Sequence, residues 1–115
     1  ACPDRKVIAL EGDGSGMYTL QSLWTIAREN LDVTILIFAN QSYRILHGEL
    51  QNVGVQNPGP SAINMLTLNN PSLDWVSLSK GMGIDAKKVR DTDQLYSVFK
   101  DGLNSKGPFL VEVMI

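Results

Sequence analysis

Gly12-Asp13-Gly14-Ser15-Gly16 stands between an apolar run at residues 6–11 and a stretch with helical spacing. Glycines at a strand-to-helix turn let the backbone approach a ligand closely. The free N–H groups and partial positive charge of the following helix suit a phosphate. An isolated Gly-Asp-Gly is equally a plain turn in which Asp13 or Ser15 caps the helix. Asp13 is the informative misfit. A carboxylate beside a phosphate repels it unless a cation lies between them. Mg²⁺ does this, taking oxygen ligands from one or two protein groups and the rest from phosphate and water. Asn40 ends the next apolar run, residues 33–39, and offers a second oxygen. Adjacent parallel strands would set Asp13 and Asn40 side by side at one sheet edge. A turn carbonyl from Gln41 or Ser42 could complete the protein's share.

Two familiar phosphate loops can be tested on the same residues. A Walker loop needs Lys before Ser or Thr, and no lysine follows here. The dinucleotide fingerprint needs a third small residue where Met17 stands, and an acid at the second strand end, where Asn40 stands. A Rossmann-like domain that binds a nucleotide or phosphate without metal remains the alternative reading of the loop.

The elements that must position these residues follow from apolar spacing. Residues 6–11 and 33–39 read as strands buried on both faces. Residues 86–90 and 108–115 are further strand candidates. Met17, Leu20, Leu23, Trp24 and Ala27 follow helical spacing over about residues 15–30. Helices are also expected over about 41–51, 73–80 and 93–104. Gly81 should stop the third, and Asp91 or Thr92 should cap the fourth. The stretch 53–72 is rich in Gly, Pro and Asn and reads as a long loop, with one helical turn possible near Met65 and Leu66. Strands alternating with helices predict an α/β fold of three layers, α/β/α, around a mainly parallel sheet.

The chain has 115 residues, 10 basic and 12 acidic, for a net charge of −2, which is the scale of one domain. That charge supplies no field for nucleic acid. No apolar run approaches the ~20 residues that span a bilayer. The single cysteine, Cys2, excludes an internal disulfide framework, and no secretory signal is evident, so a cytoplasmic location is expected.

Gly12-Asp13-Gly14, then 25 residues, then Asn40, resembles the cofactor motif of thiamine diphosphate-dependent enzymes. The likeness extends to Met17–Arg28, to Ile37–Tyr43, to Leu73–Gly83 and to the closing strand. It points to the acetolactate synthase and benzoylformate decarboxylase group and covers essentially the whole chain. The resemblance implies thiamine diphosphate and Mg²⁺ as cofactors and a 2-oxo acid as substrate of the full enzyme. Asp13 and Asn40 would bind Mg²⁺ through side chains and Ser42 through its carbonyl. Gly12, Gly14, Ser15 and Tyr43 would hold the diphosphate, largely through backbone N–H groups and the Ser15 hydroxyl. Leu46 would face the cofactor or substrate. Ala39 stands where many relatives carry a second asparagine, but the implied ligand is the one that follows it.

The family's module begins with further β-α units, and a glutamate from a separate pyrimidine-binding domain activates the cofactor. No residue here takes that catalytic part; Glu11 is on the wrong element, and Glu49 reads as solvated. Residues 1–115 are therefore expected to be part of a C-terminal thiamine diphosphate-binding domain, a truncated form of that fold, inactive alone and self-associating through exposed sheet edges. Of the remaining residues, His47 reads as a packing or surface histidine. Trp24, Trp75 and the four methionines read as core, and Lys87, Lys88 and Arg90 as a solvated face.

Overall fold

A computed structural model describes residues 3–115; Cys2, to which no role was assigned, lies outside them. Among the described residues, four strands form one parallel sheet in the order β1-β2-β4-β3. They are β1 (Val7–Gly12), β2 (Val33–Ala39), β3 (Asp85–Val89) and β4 (Phe109–Met114). The helices are α1 (Asp13–Gly16), α2 (Ser22–Arg28), α3 (Arg44–Asn52), α4 (Pro60–Leu66), α5 (Trp75–Gly81) and α6 (Thr92–Asn104). Strand side chains alternate between faces. On one face Val33, Ile35, Ile37, Ala86 and Leu110 pack with Leu23 of α2 and Trp75 of α5. On the other, Leu36, Val89, Val111 and Val113 pack with Leu95, Val98 and Phe99 of α6. This is the expected three-layer α/β/α arrangement.

The central strands β2 and β4 are buried along nearly their whole length. β1 is not buried on both faces as its composition suggested. It is an edge strand, with Val7 45 %, Ile8 48 % and Leu10 64 % exposed. β-Branched composition selects strand, but the neighbours in the sheet decide burial. The opposite edge, β3, carries Lys87 and Lys88, the charged side chains that blunt an edge strand.

The first long helix is in fact broken. α1 is a single turn, residues 17–21 form successive turns, and α2 restarts at Ser22. The restart shifts the helical phase, so Trp24 turns outward instead of joining the core. It is 54 % exposed, with the Arg28 guanidinium 5.0 Å over its ring. α3 begins three residues later than expected. Gln41 adopts a left-handed φ of 56°, and Ser42 and Tyr43 pair with the strand-like segment 66–68. The stretch read as a loop contains α4, whose Pro60 follows Gly59 at the first helical position, where proline is favoured. Met65, read as core, is 78 % exposed on α4, whereas Met17 and Met82 pack against the core as expected.

Caps fix the remaining helices. The Asp91 carboxylate accepts from Gln94 N at 2.8 Å and starts α6. Asp74 starts α5, accepting from Ser77 N at 3.0 Å and Ser77 Oγ at 2.6 Å. Those Ser77 hydrogen bonds, the hydroxyl first, hold the Asp74 carboxyl below the usual 3.8. A depressed folded-state pKa adds stability above the unfolded value and loses it as pH falls through the folded one. Asp74→Ala should therefore cost about 1 kcal/mol at neutral pH and progressively less as pH falls through the lowered folded-state value. Urea unfolding at pH 7 and pH 2.5 measures the difference.

Candidate functional site

The parallel pairing of β1 with β2 puts Gly12 opposite Phe38. Both chains therefore leave the sheet at the same end, β1 into Asp13 and β2 into Asn40. Asp13 is 2 % exposed. Its Oδ1 accepts from Gly14 N at 3.0 Å and its Oδ2 from Gln41 N at 2.6 Å, so the carboxylate joins the two strand ends. No lysine or arginine pairs with it among the described residues. Asn40 Oδ1 accepts from Ser42 N at 2.9 Å, which identifies the oxygen and leaves it a second lone pair.

The turn separates the two carbonyls that spacing left open, of which the resemblance implies that of Ser42. Gln41 O accepts from Leu68 N at 2.7 Å, so it is engaged. Ser42 O lies 3.7 Å from where a Cβ on Gly14 would sit, against the loop. The strained φ of Gln41 buys this arrangement: it aims one peptide's N–H at Asp13 and its own carbonyl away from the site.

A cavity of ≈ 230 Å³ opens over these groups, lined by Gly12–Ser15, Asn40, Ser42, Tyr43 and Leu46. All eight residues singled out from sequence thus line one cavity. Tyr18, Arg44 and Ile45 join them. They carry no motif signal; Tyr18 enters because the broken helix turns it back, its ring centroid 6.4 Å from that of Tyr43. The cavity is small beside the ~300–1,000 Å³ of complete small-molecule sites. It suits a diphosphate and its metal rather than a whole cofactor.

Two glycines are fixed by aromatic rings. A Cβ on Gly14 would meet Tyr43 Cδ1 at 2.7 Å, and one on Gly16 would meet Trp75 Cη2 at 2.7 Å. Tyr43 contributes its ring there, because its N–H donates to Leu66 O at 2.9 Å. Ser15 is exposed at the cavity, its Oγ 3.9 Å from a notional Gly12 Cβ.

The donor set fits a hard divalent ion. A buried carboxylate with no cationic partner is costly, and an ion of charge +2 removes that cost. An amide oxygen and a turn carbonyl beside it are the neutral oxygens Mg²⁺ accepts. Among the described residues, no three His, Cys, Asp or Glu side chains converge. The arrangement thus needs the ligand's own oxygens to fill the coordination shell. His47 lies outside this cavity, partly buried beside Arg44 and Gln51. A larger open groove of ≈ 780 Å³ along β3 presents mixed charges from Asp74, Lys88 and Asp93 and contains none of these groups.

The fold and site define an α/β module with a polar cavity at the carboxyl end of a parallel sheet, the position open α/β sheets use for ligands. Residues 1–113 match the family described as the C-terminal TPP binding domain of thiamine pyrophosphate enzymes. The chain belongs to that family, whose ligand is thiamine diphosphate, typically with Mg²⁺. The chain is 43 % identical over 116 residues to a Mycobacterium tuberculosis protein provisionally named acetolactate synthase large subunit IlvX, covering 100 % of this chain and 22 % of that one. It is 30 % identical to the benzoylformate decarboxylase of Pseudomonas aeruginosa over 98 % of this chain and 20 % of that one. Among solved structures, the thiamine diphosphate-dependent 4-hydroxybenzoylformate decarboxylase of Rhodococcus jostii RHA1 superposes with a TM-score of 0.85 at 32 % identity, over 97 % of this chain and 20 % of that one. The chain spans about a fifth of the length of these relatives. Among the described residues, no helix is long and apolar enough to cross a membrane.

Proposed function

We propose that this chain supplies the diphosphate- and metal-binding part of the active site of a thiamine diphosphate-dependent decarboxylase or carboligase acting on a 2-oxo acid. The observation that carries the reading is Asp13: buried, ionisable, without a cationic partner among the described residues, and tied by backbone N–H groups to both strand ends. In this reading Asp13, Asn40 and the Ser42 carbonyl hold Mg²⁺. Gly12 and Gly14 let the backbone approach the diphosphate closely, Ser15 offers its N–H and hydroxyl, and the Tyr43 ring closes over Gly14. Leu46 forms the apolar wall on the cofactor or substrate side. Bound thiamine diphosphate supplies the carbanion chemistry. These residues bind and orient it, and none of them moves a proton. Residues 1–115 act as part of a C-terminal domain of a cytoplasmic enzyme, and activation of the cofactor falls to groups outside them.

Thermal shift in the presence and absence of EDTA tests the assignment. Inorganic diphosphate with Mg²⁺ should raise the melting temperature, and EDTA should abolish the rise. Stabilisation by a nucleotide that survives EDTA would instead support a metal-independent Rossmann-like binder.

The same reading includes a homo-oligomer. Ile8 and Leu10 stand exposed on the unpaired edge strand β1, an invitation to pairing. Sedimentation velocity should show concentration-dependent association that Leu10→Lys reduces. A monomer at all concentrations would remove this part of the proposal.

A further inference from the structure

Three residues of the proposed site, Asp13, Gly14 and Ser15, are carried by α1, a helix of one turn, residues 13–16. One turn does not hold its own shape, because helix nucleation is unfavourable and only longer helices recover the cost. Its geometry must come from what presses on it. On the cavity side that is Tyr43 over Gly14. On the opposite end it is Trp75. The Trp75 side chain is 1 % exposed, and its Cη2 and Cζ2 edge lies 2.7 Å and 3.2 Å from where a Cβ on Gly16 would be. Ile37 Cδ1, 3.5 Å from the same point, supports it from β2.

Trp75 has a further peculiarity. Its indole Nε1 is one of two buried side-chain polar atoms with no hydrogen-bond partner among the described residues. A buried indole normally finds a partner. A phenylalanine would fill an apolar core without that orphan donor. The longer indole reaches further, and its far benzo edge is the part that meets Gly16. The ring is itself placed by the Asp74 cap, which fixes the first turn of α5 where Trp75 stands.

We infer that Trp75 is a positioning residue for the diphosphate site. It touches no ligand. It pins α1 from behind, so that the Ser15 N–H and the Asp13 carboxylate, itself held by the Gly14 N–H, are preorganised for the diphosphate and metal. The inference rests on the site assignment proposed above, and it makes a separate claim about the ligand-free chain. Gly16 is then required because the indole occupies the space of its Cβ.

Size exchange tests this in the full chain. Gly16→Ala alone should weaken Mg²⁺-dependent binding of inorganic diphosphate, read by calorimetry, about tenfold. Trp75→Leu alone should weaken it similarly, by releasing α1. Gly16→Ala with Trp75→Leu should bind better than Gly16→Ala alone, because the clash is gone. Amide hydrogen exchange without ligand should show faster exchange at Gly14–Met17 in Trp75→Leu. Ile84→Val, at an equally buried site in the same core, should lower stability without changing either readout. Unchanged α1 exchange and unchanged affinity in a folded Trp75→Leu chain would overturn the inference. If that variant does not fold, Trp75→Phe replaces it, and unchanged α1 exchange there overturns the inference equally. Failure of the site assignment looks different: diphosphate would not bind the unaltered chain, while Trp75→Leu would still accelerate exchange in α1.

Discussion

Asp13→Ala should reduce Mg²⁺-dependent diphosphate binding by about 100-fold or more. Loss of a residue that merely orients a metal ligand costs about 10–100-fold, and Asp13 would be a ligand itself. The substitution also orphans the Gly14 and Gln41 N–H groups, which both donate to this carboxylate. Leaving a buried donor unsatisfied costs about 1–3 kcal/mol. That loss is offset in part, because a buried carboxylate without a counter-ion disappears with it. The ligand-free variant should therefore stay folded, with a modest drop in stability and little diphosphate binding. Asp13→Asn separates the two effects. It keeps an acceptor oxygen for one of the donors and removes the charge, so it should fold nearly as well and bind almost as poorly. Calorimetry with circular dichroism on the same samples gives both quantities. Normal affinity in either variant would remove Asp13 from the metal site.

Lys88→Ala should be far more destabilising than the loss of a surface lysine. Glu112 stands in the middle of β4 at 1 % exposure, and Lys88 of β3 reaches it at 3.0 Å. Register places the two residues directly opposite each other. Glu112 Oε2 already lacks a partner among the described residues, so Lys88 is the chief compensation for the charge. Removing one partner of a buried ion pair costs about 3–5 kcal/mol, whereas replacing both by apolar residues of similar size is often neutral or stabilising. The Lys88 side chain is 32 % exposed, which lets water reach the pair and puts the expected cost near the lower bound. The double change Lys88→Met with Glu112→Leu should recover most of that loss. Chemical denaturation of the single and double variants measures both. Equal stabilities for Lys88→Ala and the unaltered chain would show that Glu112 is satisfied some other way.

Lys88 also shows where sequence stopped being informative. Beside Lys87 and Arg90 it reads as one of a solvated row, and Lys87 does pair at the surface with Asp101, at 3.2 Å. What singles out Lys88 is a glutamate 24 positions away, and only strand register brings the two together. The same holds for β1 and Trp24. Composition identified the strand but could not say that it would stand at the edge. Spacing identified the helical stripe, but the break at residues 17–21 turned Trp24 out of it. Those outcomes depend on long-range neighbours that local periodicity does not encode.

The site was legible for the opposite reason. Gly-Asp-Gly and Asn40 each follow a strong strand signal, and parallel pairing of those strands is enough to bring them to one edge. The turn at Gln41 was harder to foresee, because a left-handed glutamine has no sequence signature. Spacing could nominate Gln41 and Ser42 but not choose between their carbonyls; only the family resemblance implies Ser42. The hydrogen bond from Leu68 N engages the Gln41 carbonyl, and it depends on the segment read as a loop.

In the proposed function this edge binds diphosphate through a divalent ion. Calorimetric titration of inorganic diphosphate into the chain, with Mg²⁺ and then with EDTA, tests it most directly. A site that holds diphosphate through Mg²⁺ gives a saturable heat with Mg²⁺ and none with EDTA. Equal binding in the two buffers, or no binding in either, would contradict it.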